Sequence, residues 1–172
     1  MGRKSWSGNW PPLNKVVVAD AGPLIALARL HLLELLPQVF GEVLVTDVVL
    51  EECARSPDFP EAPTILAAMA ENVMTRCVAQ DFSAFEQEID IEEASAIAVA
   101  IERRCGVLMD DKAGRRMAGH IGIPVIGTVG VLVLAKRKGL VTRVKPLLEH
   151  LVESGYFLSK EIIAATLAAC DE

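Results

Sequence analysis

No apolar run in this sequence approaches the ~20 residues needed to span a bilayer, and the opening MGRKSWSGNWPPLNK lacks the hydrophobic centre of a signal peptide. A soluble, cytoplasmic protein is the expectation. Cysteine supplies no framework either: Cys53, Cys77, Cys105 and Cys170 stand far apart and include no C-x-x-C pair. That spacing argues against a zinc knuckle or a disulfide scaffold and for reduced core thiols. Internal repeats and low-complexity tracts are lacking. The segment VIGTVG (125–130) has neither the Lys-Ser/Thr of a P-loop nor G-x-G-x-x-G spacing, so it reads as a strand-to-helix turn. His31, His120 and His150 are scattered on expected helices and are assigned to surface or capping positions.

What the chain does have is apolar residues, 52% of 172, enough for one well-filled α/β core. A single domain over residues 15–172 is expected behind a flexible leader, 1–14. Trp6 and Trp10 in that leader suit a mobile arm better than a base-stacking platform. Net charge is −6, which argues against a general nucleic-acid coat. The charge is uneven, however: between Arg103 and Lys145 ten Lys/Arg face only Asp110 and Asp111. A basic edge beside an acidic centre is one reading, a solvated helix surface the other.

Along the chain, VVVAD (16–20) is a β-branched run ending on a carboxylate, and Gly22-Pro23 opens the helix-spaced LIALARLHLLELL. Pro37 and Gly41 precede a second strand, VLVT (43–46), and Asp47 is placed to cap a helix through VVLEECAR. A loop, a short helix over 64–71, a strand over 73–78 and an acidic loop lead to an amphipathic helix over 92–104. Then come a strand VLM, a helix DKAGRRMAGH, a short strand PVIG, and a helix that Thr128 caps and Gly139 ends. Two further helices span 144–154 and 160–170. Strands alternating with helices predict a three-layer α/β sandwich, a central parallel sheet covered by helices on both faces.

Ligands in such sheets bind at the carboxyl ends of the strands. Asp20 ends the first strand, and Asp110 and Asp111 end a later one. A turn of ~100° per residue places Ala94, Ile97, Ala98 and Ile101 on the buried stripe of the 92–104 helix, with Glu93 at its border and Glu92 turned away. The same rotation sets Glu52 among Val48, Val49 and Cys53 and leaves Glu51 outside. Each glutamate alone has a simpler account, a carboxylate near a helix N-terminus. Asp20, Glu52, Glu93, Asp110 and Asp111 together do not, because clustered carboxylates repel and raise one another's pKa. A divalent cation relieves that conflict, and a set of oxygen donors suits Mg2+ or Mn2+. Such ions serve in-line phosphoryl hydrolysis. Lys112, Arg115 and Arg116 follow directly and are the candidates for substrate phosphate, Arg115 and Arg116 alternatively for an inner carboxylate.

With these segments in order, VVVADAGPLIALARL, VLVTDVVLEECAR, DIEEASAIAVA, VLMDDKAGRRMA and IPVIGTVGVLVLAKRKGL, the sequence resembles the PIN-domain nucleases over about residues 16–150. The closest likeness is to a branch that begins Asp-x-x-Pro-Leu-Ile. The resemblance implies a PIN-like fold and an acidic centre at Asp20, Glu52 and Glu93, with Asp111 or Asp110 as the fourth member. Asp111 is favoured because many PIN domains carry a Thr-x-Asp segment there. It further implies a divalent-metal-dependent endoribonuclease acting on RNA, commonly dimeric, often the toxin restrained by an antitoxin protein. The chain departs from the pattern where Ala21, Gly22 and Met109 offer no hydroxyl to support the metal shell. Those departures favour the alternative, a PIN-like nucleic-acid- or protein-binding module without catalysis. Phosphotransfer on Asp20 is disfavoured, since Gly22 stands where a second aspartate is needed.

Overall fold

The β-branched runs become the strands of one sheet. In the computed structural model, which describes residues 15–55 and 60–172, these are β1 (Val16–Ala19), β2 (Glu42–Thr46), β3 (Thr75–Cys77), β4 (Gly106–Leu108) and β5 (Val125–Ile126). Every pairing among them is parallel, in the order β3-β2-β1-β4-β5. Between the strands run α1 (Ala21–Arg29), α2 (Leu35–Phe40), α3 (Asp47–Arg55), α4 (Ala62–Ala70), α5 (Ile91–Arg103) and α6 (Lys112–His120). After β5 come α7 (Thr128–Arg137), α8 (Lys145–Glu153) and α9 (Lys160–Ala169). The leader with Trp6 and Trp10 lies outside the described residues. No helix among those described is long and apolar enough to cross a membrane.

Alternation along the strands divides the core in two. Val17, Ala19, Val43, Val45 and Leu108 pack with Leu24 and Leu27 of α1 and Leu132 of α7. Val18, Leu44 and Val107 face the other way, against Ile97 and Val99 of α5 and Ala118 of α6. Apolar burial on both faces is what a parallel sheet between two helical layers requires, and the three-layer expectation holds. The chain builds β1, β2 and β3 outward in one direction, then returns to the other side of β1 with β4 and β5. The carboxyl ends of β1 and β4 therefore flank the point where strand order reverses, the position of a ligand crevice in open α/β sheets. The Asp20 N–H, donating to the Leu108 carbonyl at 2.9 Å, ties the two ends together.

Several local expectations are corrected. The run LIALARLHLLELL is two helices: His31 adopts φ 55°, its N–H bonds the Ala28 carbonyl and the Leu32 N–H bonds that of Leu27. That is a Schellman ending, so His31 is a turn residue and lies on no helix. Because a left-handed backbone costs a residue with a Cβ energy that glycine avoids, His31→Gly is expected to raise the unfolding free energy by about 0.5–1 kcal/mol in denaturant melts. Pro37 sits inside the first turn of α2, where its missing N–H is not needed. Asp47 begins α3, but the cap is the Thr46 hydroxyl, which accepts the Val49 N–H at 3.2 Å; Asp47 pairs with Arg76. The buried face of α5 is wider and turned from the expected stripe: Ser95, Ala96, Val99 and Ala100 are buried, whereas Ala98 is partly open and Ile101 exposed. A helix packed against both the sheet and α3 and α6 buries more than one stripe.

The two C-terminal helices join the first core through Leu148, Leu151 and Cys170. Glu172 fastens them, accepting the Val144 N–H at 2.7 Å and the Lys145 N–H at 2.9 Å, with Lys136 Nζ 3.3 Å away. These backbone donors hold its carboxyl down, to about 2.

Candidate functional site

Asp20 follows β1 and precedes α1, at the helix's N-cap, yet its side chain makes no capping hydrogen bond to the second or third residue of the helix. It is 6% exposed. Burial pushes its carboxyl up to about 7, against the pull of the Ala21 amide, and the charges of Asp110, Glu92 and Asp111 add to the rise. A carboxylate placed at the end of a central strand, free of capping duty and kept half-protonated near neutral pH, is poised for a ligand.

Glu93, the third residue of α5, is buried, and its Oε2 accepts the Asp90 N–H at 3.4 Å within a capping box. Burial raises its carboxyl to about 8, with Asp111 and then Asp20 contributing. Asp111 behaves oppositely. Burial works against its ionisation, but the Gly114 and Ala113 amides, the Glu93 side chain and the Lys112 amide together hold it below the usual carboxylate range. Its Oδ1 caps α6, accepting Ala113 N–H at 2.5 Å and Gly114 N–H at 3.1 Å. Of the two neighbouring acids, Glu93 is thus the one driven toward its protonated form and Asp111 the one held ionised. Gly114 permits this approach, since a Cβ there would meet the Met109 sulfur and lie 3.0 Å from the Glu93 carboxyl carbon.

Asp110 has a different set of partners. Its Oδ1 accepts the Thr128 N–H at 2.8 Å and its Oδ2 the Thr128 hydroxyl at 2.6 Å. Thr128 is thus the first residue of α7, not its cap; Gly127 holds that position, and the Asp110 carboxylate supplies the negative charge the helix N-terminus favours. Tyr156, in the α8–α9 connection, lies near Asp110 and Thr128. Burial and the Asp110 charge keep that phenol above its ordinary range. Arg115 donates to the Met109 carbonyl at 2.8 Å, turning one of the expected phosphate contacts inward. Gly127 leaves room for both, because a Cβ there would stand 2.8 Å from Asp110 Oδ1 and 3.0 Å from Arg115 Nη1. Gly127→Ala should accordingly displace the carboxylate from its amide and cost about 1–2 kcal/mol of stability. An unchanged denaturation midpoint would contradict that packing.

The expected residues are therefore brought together unequally. The charges of Asp110 and Asp111 reach Asp20, and those of Asp111 and Asp20 reach Glu93. Glu52 is half-buried at the side of the group: Cys53, its thiol raised to about 12 by burial, feels both Asp20 and Glu52. Glu51 is exposed and pairs with Arg55, as its helical position implies. Glu92 is corrected, because it is partly buried and its charge reaches Asp20. Lys112 and Arg116 are exposed, and Arg116 lines a groove of about 240 Å3 with Ala113, Met117 and His120 on one side and Glu88 and Ile89 on the other. Sequence reasoning missed Tyr156 and the role of Thr128. Their signal was present only as a hydroxyl at a helix start and a tyrosine after Gly155, which carries no spacing relation to the aspartates.

The donor set is all oxygen, which fits a hard divalent cation. Among the described residues, no three acidic, His or Cys side chains converge closely enough as they stand to hold an ion. Burial first, and the neighbouring carboxylates after it, raise the Asp20 and Glu93 carboxyls. A family model described as a PIN domain matches residues 16–172. No curated protein and no solved structure matches the chain.

Proposed function

The chain belongs to the PIN-domain family, a nuclease family, and on that premise we propose that it is a divalent-metal-dependent endoribonuclease that hydrolyses RNA phosphodiester bonds. The observation that carries the reading is the buried Asp20, its carboxyl raised to about 7, beside Asp110 at the point where strand order reverses. In this reading Asp20, Glu93 and Asp110 hold Mg2+ or Mn2+, with Glu52 at the edge. When bound, such an ion supplies Lewis acidity for an attacking water and for the phosphoryl oxygens. Asp111 anchors α6. Arg116 and Lys112, on the exposed side of that helix, attract the phosphate backbone along the adjacent groove. A toxin role restrained by an antitoxin protein, a homodimer and a cytoplasmic setting belong to the proposal through the family resemblance alone.

A second reading, a PIN-domain binding module without catalysis, is favoured by one observation: no three potential ligands among the described residues already converge. Incubating the purified protein with a mixed single-stranded RNA pool separates the two. The nuclease reading expects fragments with Mg2+ or Mn2+ and none with EDTA. RNA retained on the protein but left intact under every metal condition supports the second.

A further inference from the structure

We infer that the groove between α6 and the segment leading into α5 seats one RNA base beside the phosphodiester to be cut, and that Glu88 and Arg116 make it selective for guanine; the inference rests on the ribonuclease reading above. Ala113, Arg116, Met117 and His120 recur at helical spacing and form one wall of this groove of about 240 Å3, and Glu88 and Ile89 form the other. A site for a whole drug-sized ligand takes ~300–1,000 Å3, so this one suits a single base. Both walls begin at the acidic centre. Ala113 adjoins Asp111, whose Oδ1 accepts its N–H, and Ile89 adjoins Asp90, whose N–H the Glu93 carboxyl accepts at 3.4 Å. A base in the groove therefore belongs to a nucleotide whose phosphate lies within reach of the carboxylates.

The two walls differ in kind. Glu88 offers acceptors only and Arg116 donors only, with the ring nitrogens of His120 one turn further along the same face. Although they carry opposite charges and line one groove, Glu88 and Arg116 form no ion pair with each other or with any other described residue. Space is thus left between them for a flat group that meets both. Arg115 does not compete for it, because its guanidinium is turned inward onto the Met109 carbonyl at 2.8 Å. Ile89 is buried and Met117 partly buried, so that between the charged rims lies an apolar surface on which a base face can rest, the methionine sulfur being well suited to an aromatic ring. Among the four bases, guanine alone presents two adjacent N–H donors, at N1 and N2, on one edge and two acceptors, O6 and N7, on another. The first edge matches a carboxylate, the second an arginine. Adenine and cytosine offer Glu88 one amino group each, and uracil one ring N–H.

Fluorescence anisotropy of labelled pentauridylates that carry one central guanosine, adenosine, cytidine or inosine, titrated with the full chain in EDTA, separates base reading from cleavage. The guanosine oligomer is expected to bind about tenfold more tightly than the adenosine and cytidine ones. Inosine, which lacks only the 2-amino group, should fall between. Glu88→Gln exchanges the second acceptor for an amide of the same size, and it should bring guanosine and inosine level and cut the guanosine preference to about twofold or less. Glu86→Gln, on the same segment but outside the groove, should keep the wild-type preference. Glu88 is exposed, and thermal melts identify any variant whose loss is one of folding. Equal binding of all the oligomers by the wild type, binding of none, or a guanosine preference that survives in folded Glu88→Gln would overturn the proposal; fragments formed with Mn2+ would then leave the nuclease reading standing. A guanosine preference lost in Glu88→Gln supports the base assignment, and absence of cutting beside it counts against the nuclease reading alone.

Discussion

Replacing Asp20 with asparagine is expected to abolish metal-dependent RNA cleavage, by on the order of 10^3-fold or more, and at the same time to stabilise the metal-free fold. The two effects have one cause. Asp20 lies buried between β1 and α1 with its carboxyl raised to about 7, so above that pH the fold holds a desolvated charge next to Asp110 and Asp111. A shift of about 3 units corresponds to at most ~4 kcal/mol, and an amide that is itself incompletely bonded recovers part of it. A gain of about 2 kcal/mol, or roughly 4–8 °C in melting temperature near pH 8, is the expected outcome. Asparagine is nearly isosteric and leaves the helix start intact, so a variant that melts earlier than the wild type and still cuts RNA would contradict both halves.

Stability of the metal-free wild type should fall as pH rises from about 4 to about 8, opposite to the behaviour of a protein held together by salt-bridged carboxylates. The folded state keeps protons on Asp20 up to about 7 and on Glu93 up to about 8, whereas the unfolded chain releases them near the ordinary values of 3.8 and 4.5. The folded state thus binds more protons throughout that window, and the unfolding free energy declines through it. The decline is full above the folded values and absent below the unfolded ones. Asp20 alone accounts for about 3–4 kcal/mol at most, and coupling between the acids makes the combined loss smaller than a sum. Glu172 works in the other sense, with stability present above its ordinary value and lost as pH falls toward about 2. The two regimes do not overlap at neutral pH. Denaturant melts at pH 5 and pH 8 are expected to show the loss, and millimolar Mn2+ at pH 8 to reverse it, because an ion that binds only the folded state stabilises it by mass action. A flat profile would mean that the carboxyls are solvated.

The sheet was legible because its strands are short apolar runs bounded by turn residues, and because helices between them leave only parallel pairing. Asp20 and the Asp110–Asp111 pair were legible for a related reason: their positions follow from strand ends, which a linear pattern reveals. Glu93 against Ile97 followed from helical rotation. The same rotation failed for Glu92 and Ile101, since α5 is covered on more than one side and a single stripe underestimates what it buries. The break at His31 was hidden because leucines on both sides of it keep helical spacing, although residues 30–34, with a left-handed backbone at His31, lie outside both helices. Tyr156 was hidden more deeply. It comes near Asp110 across forty-six positions of sequence through a turn whose direction depends on where α8 lies in the core.

The division of labour between the paired aspartates also came only from the fold. Asp111 caps α6 and its charge helps to raise the Glu93 carboxyl, while Asp110 rests on Thr128 and its charge adds to the rise at Asp20. Sequence likeness alone favoured Asp111 as the ligand; in the centre proposed above Asp110 takes that place, because the Asp111 carboxylate is already engaged by the Ala113 and Gly114 amides.

The most direct test is a calorimetric titration of Mn2+ into the wild-type chain and into Asp20→Asn near neutral pH. The account predicts saturable binding by the wild type, with proton release as the raised carboxyls ionise, and its loss in the variant. Binding that survives Asp20→Asn undiminished, or no binding by the wild type, would contradict the claim that these crevice carboxylates form a metal centre.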